Sequence, residues 1–279
     1  MNNERENPVA FLIPILTALA WVLVGYPVLR WLWVQWWTND FYSHGVLVFP
    51  ISLYIGWRLW PRGTEWKGHD LGLVVLGVLV VAYIWVSRQR ADYLAALLWI
   101  AMGAVLVWSV AGWAVLRRVW FAFAFALLAV PLPFLNALSL PLGQITGTIA
   151  GRIVQLLGLP VVVQGSLISL PNAQLVVGAP CSGLRSMISL LTLSALFAFI
   201  VRGPWWGRLA LLLSALPLAI VGNLARVSSL LVVANRWGAE AGFNFYHTYS
   251  GYVFFLAAFA FLIFLARGVR CQQLRADLF

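Results

Sequence analysis

The sequence predicts an all-α integral membrane protein, and three features of the chain carry that expectation. Hydrophobic residues make up 63% of it and charged residues only 9%, with a mean hydropathy of +0.92. A soluble domain of 279 residues cannot hide that much apolar surface within itself, so the bilayer has to act as solvent. Second, the apolar residues come in runs near 9–29, 45–60, 71–86, 93–113, 119–135, 182–200, 209–234 and 249–266, which read as about eight helices. A spanning helix takes about 17–25 residues; the second and third runs are short and rely on flanking Trp, Tyr and Arg. Third, the net charge of +10, from 18 Lys+Arg against 8 Asp+Glu, sits in short segments between the runs. That distribution suits membrane topology and lacks the basic face or stripe that nucleic-acid binding needs.

Taken in order, the polar start 1–7 has no cleavable-signal architecture, so the first run stays as helix one. The tryptophans gather at run ends, as in Trp31, Trp33, Trp36, Trp37 and Trp205, Trp206, and read as interfacial anchors. Arg5, Arg58, Arg62, Lys67, Arg117, Arg118, Arg202, Arg208, Arg267, Arg270 and Arg275 fall on one side if the eight runs alternate. The smaller set, Arg30, Arg88, Arg90, Arg152, Arg185, Arg226 and Arg236, falls on the other. The positive-inside rule then puts both termini in the cytoplasm, with the Arg88/Arg90 loop dissenting.

The segment 141–180 is not expected to span. Leu142, Ile145, Ile149, Ile153 and Leu156 form one helical stripe and Gln144, Thr148, Arg152 and Gln155 another, the pattern of an amphipathic helix lying along the outer interface. From 161 to 177 the chain turns β-rich, with Pro171-Asn172 as a turn and a hairpin over the site as the expected result. Nothing resembles a soluble domain or a long linker, so 1–279 reads as a single polytopic domain. Its chemistry-bearing motifs lie between 181 and 252.

Those motifs hold three reactive groups. Cys181, in Pro180-Cys181-Ser182-Gly183-Leu184-Arg185-Ser186, is expected where Ser182 and Gly183 open a helix whose dipole favours a thiolate, with Arg185 at i+4 on the same face. Arg226, in Asn223-Leu224-Ala225-Arg226, sits in a run otherwise suited to lipid. It reads either as a snorkelling cation or as the holder of an oxyanion, with Asn223 on its face to orient it. His247 becomes a general base only if Cys181 is near, and His44 is the competing imidazole. The alternating topology brings Cys181, Arg226 and His247 to one membrane face: from Arg208 to Arg226 the helix rises about 27 Å, most of the hydrocarbon core. Cys271, in the basic tail, reads as a small buried hydrophobe, and a disulfide with Cys181 across the membrane is not expected.

The ordered set resembles the exosortase/archaeosortase family: the Cys181-Ser182-Gly183-Leu184-Arg185-Ser186 block, the Asn223-x-x-Arg226 pair and His247. Asp40-Phe41-Tyr42-Ser43-His44-Gly45, followed by Pro50-Ile51-Ser52-Leu53-Tyr54, is similar to that family's second-helix region, so the resemblance runs from about residue 36 to 252. It implies a bacterial inner-membrane cysteine transpeptidase with Cys181, Arg226 and His247 as catalytic positions. It also implies substrate proteins of the PEP-CTERM kind, whose C-terminal signal is a motif, a helix and a basic tail. Cleavage at the outer face would pass the protein to a cell-envelope acceptor, exopolysaccharide or lipid. The chain departs from the family's commonest pattern just before the cysteine, where many members carry an acid and this one has Val177-Gly178-Ala179-Pro180.

No cofactor or metal is expected, because three His and few carboxylates form no ligand cluster at metal-site spacing. Two other classes are weighed. A thiol-dependent membrane acyltransferase would use the same three groups. A glycan transporter or flippase would be expected to carry charge near mid-membrane, whereas Glu4, Glu6, Asp40, Glu65, Asp70, Asp92, Glu240 and Asp277 all lie at run ends or in loops.

Overall fold

The computed structural model describes residues 8–62, 67–164, 167–171, 173–176, 181–238, 240 and 246–278. Side chains are described from residue 15 onward, with those of Ala173, Leu175, Val176, His247 and Thr248 excepted. Among the described residues the chain is mostly helical, with ten α-helices: α1 (Pro8–Val24), α2 (Tyr26–Thr38), α3 (Gly45–Leu59), α4 (Asp70–Arg88), α5 (Asp92–Ala111), α6 (Trp113–Ala126), α7 (Pro133–Leu156), α8 (Leu184–Ile200), α9 (Trp205–Trp237) and α10 (His247–Gly268). Three short strands, β1 (Val162–Gln164), β2 (Leu167–Leu170) and β3 (Ala173–Val176), lie between α7 and α8. Strands β4 (Val201–Arg202) and β5 (Gln273–Leu274) pair near the chain end.

Among the described residues four helices are long and apolar enough to cross a bilayer, and up to six spans result if each of two bent pairs counts as one; α3 and α8 are shorter apolar helices. The protein is a multi-pass, all-α membrane protein. It divides into two compact units, Met1–Pro131 with Leu278, and Leu132–Asp277.

In the first unit, the apolar run 9–29 is two helices rather than one, with Ile15–Val24 and Tyr26–Thr38 meeting at 59°. The break falls at Gly25, where an added Cβ would run into the Trp99 ring, and Pro27 then opens the next helix. Trp21 and Trp99 stack at 4.2 Å and exchange hydrogen bonds, each indole N–H donating to the other's carbonyl at 3.0 Å. Trp36 also departs from the anchor reading. It is buried and donates to the Ala129 carbonyl at 2.8 Å, whereas Trp33 and Trp37 are exposed.

In the second unit, α7 starts at Pro133 and continues through Pro141, so the helix begins earlier than the expected interfacial segment. Its buried face is made of Gly143, Thr146, Gly147, Ala150, Gly151 and Val154, while Ile145, Ile149, Ile153 and Leu156 are exposed. Small residues let helix backbones approach closely, and this face packs on α9 and β1. The β-rich stretch forms a three-stranded antiparallel sheet in the order β1-β2-β3, with Leu170 opposite Ala173 across the turn at Pro171.

The core of this unit is an antiparallel α8–α9 hairpin with α10 against α9. Ser194 of α8 donates to the Leu211 carbonyl of α9 at 2.7 Å, satisfying a buried hydroxyl. Helix α9, at 33 residues, rises about 50 Å, well beyond the ~30 Å hydrocarbon core.

Candidate active site

Cys181 lies just before α8, ahead of Ser182 and of Gly183, the N-cap residue. The helix therefore begins too late for Cys181 and Arg185 to share a helical face, and Arg185 is exposed. Gly183 holds φ +78, a conformation that favours glycine. An added Cβ there would also sit 2.6 Å from Asn223 Nδ2. Ser182 Oγ accepts from the Leu184 N–H at 3.3 Å, meeting one of the otherwise unpaired donors of the first turn.

The close approach at Gly183 lets Asn223 reach the cysteine. Its Nδ2 donates to the Cys181 carbonyl at 3.0 Å, a buried bond across 42 residues of sequence. Asn223 thus clamps the backbone of Cys181, a different task from orienting Arg226. Asn223 Oδ1 is buried and has no hydrogen-bond partner among the described residues. Arg226, one turn further along α9, is also buried. Its charge reaches the thiol: burial pushes Cys181 above its ordinary pKa, and Arg226 pulls it part of the way back. Desolvation outweighs the thiolate-favouring environment expected from the sequence.

The cysteine shares a buried apolar cluster with Ile168 and Leu170 of β2, Ala150 and Val154 of α7, and Val227 and Leu231 of α9. The sheet therefore packs on the Cys181 end of α8 and α9. Beside it, a tight crevice of about 10 Å³ runs between α8, α9 and α10, with Ser186, Asn223 and Arg226 contributing its polar lining and Leu190, Phe254 and Ala258 part of its apolar lining.

Three polar side chains without a marker in the sequence join this region. Tyr246 Oη donates to Ser229 Oγ at 2.7 Å, and Ser229 Oγ donates to the Arg226 carbonyl at 2.9 Å, tying the start of α10 to the Arg226 turn. Ser250, buried in the first turn of α10, has no partner for its hydroxyl among the described residues. The available signal was position: Ser229 lies three residues after Arg226, and Tyr246 and Ser250 bracket His247.

His247 is the first residue of α10, and its side chain lies outside the described ones, as do residues 177–180 where the acid is missing. His44 belongs to the first unit, at the N-cap of α3, and stacks with Tyr42 at 5.9 Å. The structure thus joins Cys181, Ser182, Gly183, Asn223 and Arg226, leaves Arg185 exposed, and brings the backbone of His247 to the helix that Tyr246 ties to α9.

The family model for transmembrane exosortases matches residues 36–264, a stretch that contains every one of these residues. The chain belongs to the transmembrane exosortase family. No curated protein and no solved structure matched it.

Proposed function

We propose that this exosortase is a membrane-embedded cysteine transpeptidase that cleaves C-terminal sorting signals through a thioacyl intermediate. The observation that carries the reading is the buried bond from Asn223 to the Cys181 carbonyl. It joins the cysteine block to the Asn-x-x-Arg helix, whose Arg226 charge acts on the Cys181 thiol.

In the proposed cycle His247 takes the thiol proton and the sulfur attacks a substrate carbonyl. The tetrahedral oxyanion is held by Arg226, and Asn223 Oδ1, the buried acceptor, takes a substrate N–H. Collapse breaks the C–N bond, and His247 gives its proton to the departing amine. An acceptor nucleophile then loses its proton to His247, attacks the thioester and releases the sulfur, which recovers the proton. The burial of Cys181 fits a resting enzyme whose thiol stays protonated and shielded. Substrate engagement has to move the covering side chains first.

The substrates in this reading are proteins ending in a motif, a helix and a basic tail, and the acceptor belongs to the cell envelope. The reading takes about eight spans, counting both bent pairs and the two shorter helices, with both termini in the cytoplasm of a bacterial inner membrane by the positive-inside rule and Cys181 toward the outer face. The sheet β1-β2-β3 then lies at that face.

The test is to trap the Cys181 adduct from cells co-expressing a sorting-signal protein and to identify its acyl group by mass spectrometry. A peptide thioester ending at the sorting motif is the expected result. A fatty-acyl thioester would make the protein a lipid acyltransferase instead, and no adduct on Cys181 would remove the covalent mechanism.

A further inference from the structure

A second polar site lies at the opposite end of the α8–α9–α10 bundle from Cys181. There the chain leaves α8 through β4, enters α9, and returns after α10 as β5, with Arg202 opposite Gln273 in the two-strand ladder. Two adjoining cavities open on this junction. One, of about 390 Å³, is lined by Arg202, Gly203, Arg270, Gln272 and Gln273. The other, of about 430 Å³, is lined by Val201, Arg202, Gly203, Arg208, Arg275 and Asp277. Both volumes are those of small-ligand pockets, ~300–1,000 Å³.

The charge in this lining is one-sided. Its carboxylate, Asp277, is engaged by Arg275, whose Nε and Nη2 donate to Oδ1 at 3.2 Å and to Oδ2 at 2.8 Å. Arg202, common to both cavities, Arg270 in one and Arg208 in the other face no second acid in the lining. Arg208 Nε is sealed from solvent with no hydrogen-bond partner among the described residues. Arg270 sits in the left-handed region at φ +60, unusual for a residue with a long side chain. Gly203 lets the two chain passes meet, since a Cβ there would collide with Cys271 Sγ and the Arg270 carbonyl. Arg202 lines both spaces, with Arg270 beside it in one and Arg208 in the other, so the junction offers several guanidinium forks against a single, already engaged carboxylate, the makings of a receptor for an oxyanion.

The surroundings say where that oxyanion comes from. Apolar helices end at this junction, and Trp205 and Trp206 in the first turn of α9 are exposed at 72% and 46%, as aromatic side chains are at headgroup depth. Below them Leu209 and Leu213 of α9 are exposed too, which offers a path for acyl chains. We propose that the junction binds an anionic phospholipid, with its phosphodiester held by Arg202, Arg208 and Arg270 and its chains lying along α9. The site does not depend on the transpeptidase reading.

The test uses the full chain in nanodiscs of phosphatidylcholine, with or without phosphatidylglycerol, and reads both the thermal unfolding midpoint and the lipid retained in native mass spectrometry. Phosphatidylglycerol should raise the midpoint by ~2–4 °C or more and be retained in preference to phosphatidylcholine. The double variant Arg202→Gln/Arg270→Asn should lose that shift and retain at least ~10-fold less phosphatidylglycerol, while melting like the parent in phosphatidylcholine alone. Asn tolerates the left-handed turn, so Arg270→Asn by itself serves if the double variant folds poorly. No preference for phosphatidylglycerol, or equal retention by parent and variant, would overturn the site. An equal midpoint shift from inorganic phosphate in phosphatidylcholine discs would overturn the lipid assignment.

Discussion

The two cysteines stand at opposite ends of one helical bundle in surroundings that are alike by every coarse measure. Both are buried, Cys181 at 5% and Cys271 at 2% exposure. Both thiols are pushed up by burial and eased down by one arginine, Arg226 for Cys181 and Arg208 for Cys271. Each has a glycine nearby that a Cβ would spoil, Gly183 against Asn223 in one case and Gly203 against Cys271 Sγ in the other. They part in what surrounds the sulfur's backbone. At Cys181 a buried amide holds the carbonyl, an unpartnered acceptor and an arginine line a crevice, and α10 begins with His247 nearby in its chain order. At Cys271 the backbone N–H simply closes the end of α10 on the Ala266 carbonyl, and the sulfur packs with Val201, Leu211, Leu262 and Ala266. In the proposed mechanism a buried thiol beside an arginine is not enough to make a nucleophile; the groups that would bind and protonate a substrate make the difference.

The largest effect should come from exchanging the two sulfurs for carbon. Cys181→Ala should abolish processing of a cognate substrate while the protein still accumulates in the membrane, and Cys271→Ala should keep turnover per folded molecule near that of the parent. Processing by Cys181→Ala would collapse the distinction between the two ends.

Next in size are the groups around the sulfur. His247→Ala should lose ~10²–10⁴-fold in turnover, the usual contribution of a general acid–base. His44→Ala, at the N-cap of α3 in the first unit, should retain most of it. Arg226→Lys keeps the charge and loses the planar fork, so an oxyanion role predicts a loss of ~10²–10³-fold. A dead His44→Ala beside an active His247→Ala would reassign the base, and an active Arg226→Lys would make Arg226 structural.

How much of this was readable from the sequence differs by kind of information. Apolar runs located the helices, because a membrane helix must be apolar along its whole length. They hid the bends, because α1 and α2 are both apolar; Gly25 and Pro27 were the punctuation that mattered. The Ile145-Ile149-Ile153 stripe was visible, yet periodicity reports that a face is apolar and not what it meets. In α7 that stripe is exposed and the small residues Gly143, Gly147 and Gly151 make the buried face. At the site, Cys181 and Arg226 could be chosen by chemistry alone. The bond of Asn223 to a carbonyl 42 residues away could not, since local spacing only places Asn223 on Arg226's side of the helix. Tyr246 and Ser229 were likewise invisible as a pair until the fold brought α10 against α9.

A pair of glycine substitutions sharpens the comparison at a smaller scale. Gly183→Ala must adopt φ +78 and press on Asn223, displacing the clamp on Cys181. A misplacement of about 1 Å can cost ~10²-fold in rate, so turnover per folded molecule should fall by about that much. Gly207→Ala meets the Val269 carbonyl at 2.5 Å and Cys271 Sγ at 3.0 Å, an overpacking that costs ~1–3 kcal/mol of stability. The folded fraction should turn over normally. Thermal unfolding and turnover measured on the same samples separate the outcomes, and equal losses of both in each variant would make Gly183 merely structural.

The smallest expected effect is in thiol reactivity. A raised pKa means that less thiolate is present at any given pH than for a free cysteine, whose value is about 8.5. Since Arg226 is the group that lowers the Cys181 value, removing its charge should raise the value further and leave still less thiolate. Alkylation of Cys181 by a small neutral reagent in a Cys271→Ala background should therefore keep climbing through and beyond about pH 8.5, without a plateau near neutrality. In Arg226→Gln the same curve should move a further step to higher pH, by a few-fold in rate at fixed pH. Mass spectrometry of the modified peptide gives both curves. A plateau near neutral pH in the parent would mean that the resting thiol is already ionised, and an unmoved curve in Arg226→Gln would mean that the guanidinium does not act on the sulfur at all.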